Sequence, residues 1–324
     1  MNSFGRKFRI SIFGESHGEL VGVVIDGVPA GVALDPSDLA EDLARRKSGA
    51  KGTTKRKEDD VPLIVSGLFN GHTTGAPLTI VFHNGNTLSG DYANLVRHPR
   101  PGHADMVATQ KWEGFSDYRG GGHFSGRITL GLVVAGTIAK KILPKTIKID
   151  ARLTEVGGTE NFAYILDQAI KEQDSVGGII ECTATGIPAG LGEPFFDSVE
   201  SVISHGIFSI PGIKGIEFGA GFEAARMMGS QHNDPIIDEN GTTATNNAGG
   251  INGGITSGNP LVFRVAVKPT SSISLPQETY NFETGKADEL IVKGRHDACI
   301  ALRVPVIVEA ITAITLCDFL LLGK

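Results

Sequence analysis

GLFNGHTTGAPL (67–78) and GINGGITSGNPL (250–261) align without gaps at an offset of 183 residues. Gly67, Gly71, Thr73, Gly75, Pro77 and Leu78 match Gly250, Gly254, Thr256, Gly258, Pro260 and Leu261. A second pair lies upstream in each half. VGVVIDGVPAG (21–31) and GGIIECTATGIPAG (177–190) are β-rich runs that both end in a G-[VI]-P-A-G turn. A weaker echo joins the helical patterns that begin near Arg127 and Arg303. Ordered matches of this kind predict two pseudo-repeats, about 1–150 and about 175–324, within one domain.

The local patterns fix the class. Phe8, Ile10 and Ile12 alternate with Arg9 and Ser11, which predicts a strand over 8–13. A helix is expected over 36–46, with Asp35 as its N-cap, Pro36 in the first turn and Arg45, Arg46 and Lys47 at its end. Short strands alternate irregularly with helices, and their two-residue period fits antiparallel pairing. The prediction is an α+β fold, not a regular doubly wound one. The apolar runs 128–139 and 304–322 read as core helices. The first is too short to span a bilayer, and Pro305, Glu309 and Asp318 interrupt the second.

Composition narrows the function. Of 324 residues, 43 are glycine, nearly twice the usual share of about 7%. The net charge of −6 argues against nucleic-acid binding by the chain as a whole. Seven of its 30 bases nevertheless crowd into RRKSGAKGTTKRK (45–57); charge alone does not separate a solvated loop from an anion site. Cys182, Cys299 and Cys317 have no metal or redox spacing, which suits a reducing compartment. No secretory signal pattern opens the chain, so a soluble cytoplasmic protein is expected.

Several motifs invite a familiar reading and lack its context. GESHG (14–18) satisfies G-x-S-x-G, but a β-rich run follows where a nucleophile elbow needs a helix. GAGFEA (219–224) satisfies the dinucleotide pattern without the second strand that should follow. The nine histidines show no H-E-x-x-H and no other metal spacing. Three are set in turn-rich company: His17 in GESHG, His103 in RPGHAD and His296 in GRHD. RGGGHFSGR (119–127) brings three glycines, two arginines and a helix start together, and KPTSS (268–272) offers an ammonium and three hydroxyls. Both suit a phosphate, since exposed N–H groups and a helix N-terminus favour anions.

Taken in order, GESHG, DGVPAG (26–31), RPGHAD (100–105), DYRGGG (117–122), GIPAGLGEP (186–194), KPTSSI (268–273) and GRHDACI (294–300) resemble the chorismate synthase family over essentially the whole length. The resemblance implies an internally duplicated α+β sandwich of antiparallel sheets and helices, assembled as a homotetramer. It implies a carbon–oxygen lyase of the shikimate pathway, serving aromatic amino acid biosynthesis. The substrate would be 5-enolpyruvylshikimate 3-phosphate, converted to chorismate by anti-1,4-elimination with reduced FMN. NADPH would enter only if the chain also reduces its own flavin, and an FMN-dependent NADPH oxidoreductase is the alternative reading. Neither nucleic acid nor membrane is an expected partner.

Site residues follow from the same resemblance. Arg46, Lys51, Arg100, Arg127 and Arg295 would hold the two carboxylates and the phosphate, with Arg119 nearby. His17 would act as acid at the leaving phosphate and His103 beside the flavin. Asp297 would relay a proton, and Ser16 would support His17. FMN contacts would come from His123, Phe124, Ser125, Pro211, Gly212, Gly253, Lys268, Pro269, Thr270, Ser271, Ser272 and Arg295. The chain departs from the family in HFSGR (123–127), where RSSAR is common, in Pro211–Gly212 and in Ala298. It is also short for the family.

Overall fold

The computed structural model describes residues 1–54, 58–85, 87, 89–294 and 296–323. One antiparallel sheet runs in the order Ser3–Phe4, Arg9–Gly14, Leu20–Asp26, Leu78–His83, Leu63–Ser66. A second runs Ile213–Phe218, Leu261–Val267, Gly178–Thr185, Lys148–Val156, also antiparallel. Leu261, Phe263, Val265 and Val267 alternate inward along the second sheet. This is the two-residue period that puts one strand face in the core.

Two long helices lie between the sheets. Thr129–Ile142 packs on the first sheet, Pro305–Leu322 packs on the second, and the helices pack on each other. The sequence is apolar nearly all round both helices because each is covered on opposite sides. Small residues allow the close approach. A Cβ at Gly131 would lie 3.0 Å from Ile12 Cγ2, and one at Gly136 only 2.3 Å from Ala310 Cβ. Pro305–Leu322 is the one described helix long and apolar enough to cross a membrane, and 78% of it is buried here in protein.

Buried charges tie the layers. Glu309, in the second long helix, accepts from Arg45 (2.6 and 2.7 Å), from Lys140 (3.0 Å) and from the Ala151 amide (3.1 Å). Burial works against its charge, but Arg45 and Lys140 outweigh it and hold its carboxyl below the usual range. Asp318 accepts from the backbone amides of Arg6, Lys7 and Phe8 and anchors the N-terminal segment.

The two glycine-rich stretches form equivalent hairpins: Leu68–Phe69 with His72–Thr73, and Ile251–Asn252 with Ile255–Thr256. The Thr73 hydroxyl donates to the Pro29 carbonyl (2.6 Å) and accepts from the Val32 amide (2.9 Å). Thr256 does the same with Pro188 (2.7 Å) and Leu191 (2.9 Å). Gly67 and Gly250 both have φ near +80°, and a Cβ on either would strike the strand that follows at under 3 Å. Only glycine meets both demands.

The expected helix at 36–46 is two pieces, a 3-10 turn Pro36–Leu39 and an α-helix Ala40–Arg46. Asp35 caps it in a capping box with Asp38. The expected strand at 8–13 begins one residue later, at Arg9. GESHG is a turn between two antiparallel strands, and Ile213–Phe218 before GAGFEA is an antiparallel strand, so neither the elbow nor the dinucleotide geometry forms.

Candidate functional site

A cavity of about 760 Å³ opens where segments 46–54, 58–60, 100–104 and 120–129 meet segments 210–214, 268–272 and 296–307. Its size lies in the range of about 300–1,000 Å³ that holds small molecules. The 3-10 turns Gly126–Ile128 and Ile300–Arg303 start the two long helices, so the core helices aim both halves at one place.

Arg46 and Arg127 are both buried and meet at one carboxylate. Asp60 accepts from Arg46 Nη2 (2.9 Å) through Oδ2 and from Arg127 Nη1 (2.7 Å) through Oδ1. Arg127 is held further by Asn84 and the His83 carbonyl. Arg46 Nε is buried with no hydrogen-bond partner. Burial pushes the Arg46 guanidinium down to about 10 despite Asp60, so it stays cationic at neutral pH. Burial also opposes the charge on Asp60, yet its two arginines keep it below the usual carboxylate range.

RPGHAD forms a second cluster. Asp105 accepts from Arg100 Nε (2.8 Å) and Nη2 (2.7 Å), and its Oδ1 lies 2.6 Å from His103 Nδ1. That short contact sets the Nδ1 proton of His103 toward the carboxylate. Burial works against the Asp105 charge, and hydrogen bonds from Arg100 and His103 overcome it, holding the carboxyl well below its usual range. Arg100 Nη1 donates to the Ser272 hydroxyl (2.8 Å), joining this cluster to the 268–272 loop. There Lys268 donates to the Gly102 carbonyl and to Ser271 (2.9 Å). Burial and then Lys214 lower its ammonium pKa.

Pro211, Gly212, Pro269, Thr270, Phe124 and Ser125 also line the cavity. Phe124 is half-exposed and tilts against Trp112, with ring centroids 5.6 Å apart. Asp297 lines the wall, accepts from the Thr54 amide (2.9 Å) and faces Arg303 (3.4 Å). Ser16 and His17 are buried one layer back. Gly120 lines the cavity with φ +61°, and a Cβ there would fall 2.5 Å from His17 Nε2. Tyr92, also in the wall, meets the His17 ring edge-on at 5.4 Å.

Other expected residues are not brought to the cavity. Lys51 pairs on the surface with Asp167 (2.6 Å), and Arg119 pairs with Asp117 (2.8 Å). His123 turns toward the Gly14 carbonyl and Asn2. Gly253 is at the tip of the second hairpin, packed elsewhere. Local carboxylates and backbone acceptors claim these groups at shorter range than the cavity does. Arg295 and the basic residues 55–57 lie outside the described residues. Conversely, sequence reading passed over Asp60, Asp105, Tyr92, Arg303 and Lys214. Asp105 carries a signal, an acid two residues after His103 and five after Arg100; Asp60 has only its place after the basic run.

The site fits a flavin and an anionic substrate together on local grounds. Thr270 Oγ1 and Arg46 Nε are buried beside the cavity with no hydrogen-bond partner among the described residues. Ile210, Ile213, Ile300 and Val304 give the lower wall an apolar surface suited to a planar ring.

Fold and site together define an α+β enzyme with a cationic, histidine-bearing cavity. A family model described as Chorismate synthase matches residues 8–321. A protein named Chorismate synthase from Chitinophaga pinensis is 65% identical over 100% of this chain and 98% of its own length. One of the same name from Dehalococcoides mccartyi is 47% identical over 99% and 96%. A solved structure titled Crystal Structure of Chorismate Synthase superposes with a TM-score of 0.73 at 26% identity, covering 98% of this chain and 93% of that one. The chain belongs to the chorismate synthase family. That family consists of carbon–oxygen lyases that depend on a reduced flavin.

Proposed function

We propose that the protein converts 5-enolpyruvylshikimate 3-phosphate to chorismate by anti-1,4-elimination, with FMN as the flavin. The observation that carries this is the meeting of Arg46, Arg100, Arg127 and Lys268 on one cavity beside His103. A substrate with two carboxylates and a phosphate needs several cations held apart, which one flexible loop would not supply.

The arginines bind and orient the trianion. His17 would give a proton to the leaving phosphate through the space beside its Nε2 that Gly120, lacking a Cβ, leaves open. His103, fixed by Asp105, holds or passes a proton at Nε2, and Asp297 takes part from the opposite wall. The 268–272 loop, Pro211, Gly212, Phe124 and Ser125 would hold FMN. When bound, reduced FMN would supply electron density for C–O cleavage and accept the ring proton lost in the elimination, with no net redox change.

We also infer that the two halves arose by duplication of one unit, supported by the matched threonine-held hairpins. A homotetramer is supported by exposed Val61, Leu63 and Val65 along an edge strand and by exposed Phe195 and Phe196, since apolar edges invite cover. A cytoplasmic setting accords with three buried cysteines that form no disulfide among the described residues. Anaerobic incubation with substrate and chemically reduced FMN tests the activity: chorismate absorbance should rise. A folded, flavin-binding protein that forms none would refute the proposal. NADPH oxidation in air with FMN tests the oxidoreductase reading separately.

A further inference from the structure

We propose that Asp60 is a positioning residue that sets Arg46 and Arg127 to grip one anionic group of the substrate. The inference rests on the function proposed above. Asp60 is itself buried, and its two oxygens each take one guanidinium nitrogen from a different half-turn of the fold. Its own backbone is left-handed (φ +51°), a conformation that Asp bears better than most side chains. By taking one nitrogen of each guanidinium, Asp60 fixes the planes of two buried side chains that both line the cavity. A guanidinium held in a fixed plane presents its remaining N–H groups in the fork geometry that matches a carboxylate or phosphate.

Charge supports the same role. Arg46 is faced by Asp60 from the segment after the basic run, by Arg127 from the Gly126–Ile128 turn and by Arg303 from the Ile300–Arg303 turn. Arg303 also donates to the Arg46 carbonyl (2.9 Å). Asp60 is the carboxylate bonded to both Arg46 and Arg127, while Arg303 faces Asp297, so Asp60 offsets the crowding of positive charge at Arg46 as well as aiming it.

Asp60→Asn retains size but has one acceptor oxygen where two are used, so one arginine is released. Two readouts follow: substrate binding by calorimetry with oxidised FMN, which cannot support turnover, and KM against kcat with reduced FMN. We expect affinity and KM to worsen by about tenfold to a hundredfold, the worth of one charge-assisted hydrogen bond, with kcat less affected. Asp60→Glu keeps the charge and both oxygens but moves them by one methylene, so its KM should rise by less than in Asp60→Asn.

Wild-type binding and a wild-type KM in folded Asp60→Asn would overturn the proposal. Tighter binding in that variant would also overturn it, because Asp60 would then be a competitor for the arginines. Should Asp60→Asn fail to fold, a wild-type KM in Asp60→Glu overturns it instead. Wild-type protein that neither binds nor converts the substrate would sink the proposed function itself, a result distinct from all of these.

Discussion

Replacing Gly120 by alanine puts one methyl group between the cavity wall and His17. The new Cβ would lie 2.4 Å from His17 Cδ2, 2.5 Å from Nε2 and 2.9 Å from Ser16 Oγ. Carbon contacts settle near 3.5–4.0 Å, so the imidazole has to retreat by about 1 Å. Ser16 is fully buried and its amide donates to the Gly122 carbonyl (3.1 Å), which limits any shared retreat. A catalytic group displaced by about 1 Å loses roughly 10²-fold in rate. The left-handed backbone at Gly120 (φ +61°) adds about 1–2 kcal/mol of strain for alanine, which should lower Tm by only a few degrees. The expected outcome of the anaerobic chorismate assay is therefore a kcat about 10²-fold down, a nearly unchanged KM and a folded protein. Gly229→Ala, where a Cβ meets nothing within 4 Å and φ is ordinary, serves as the control and should match wild type. Wild-type kcat in folded Gly120→Ala would refute the placement of His17 as the acid behind this glycine.

Asp105→Asn should lower kcat by loosening Arg100 and His103, seen as a changed pH–rate profile, and should lower Tm near neutral pH. In wild type, the depressed Asp105 pKa contributes stability that is present above the unfolded carboxyl pKa of about 3.9 and is lost as pH falls toward the folded value. A Tm titration from pH 7 to 3 should be flatter in the variant. Gly136→Ala adds helix propensity worth about 1 kcal/mol but drives a Cβ to 2.3 Å from Ala310 Cβ and 2.4 Å from its Cα. Overpacking against backbone at the upper end of about 1–3 kcal/mol should win. Thermal melting should show a lower Tm, and adding Ala310→Gly should not restore it, because the 2.4 Å approach to the residue 310 Cα remains.

What the chain makes legible is what short stretches must do by themselves. Gly67 and Gly250 demand positive φ and a close strand; Asp35 caps the turn it precedes; alternation marks Leu261–Val267. These requirements are met within a few residues, so the sequence displays them. The α+β class and the two core helices follow from them. The fate of a charge is another matter. Arg127 meets Asp60 across 67 positions, and Arg45 meets Glu309 across 264. No local pattern encodes such a pairing, because the sandwich has to close before the partners meet. For the same reason Lys51, expected at the substrate, settles on Asp167, whereas Arg119 is claimed locally by Asp117 just before it. His123 turns to the N-terminal segment for a similar reason: the Gly14 carbonyl lies 2.8 Å from its Nδ1. The residues that carry the family motifs identify the cavity, and the acids that aim them become visible only in three dimensions.

The central claim is that this cavity eliminates phosphate without consuming its reductant. Phosphate release, chorismate appearance and flavin absorbance, followed together under anaerobic conditions with reduced FMN and no NADPH, test it most directly. Equal amounts of phosphate and chorismate over many turnovers, with the flavin still reduced at the end, are the predicted result. Flavin oxidised in step with substrate loss, or no phosphate released by folded protein, would contradict the account.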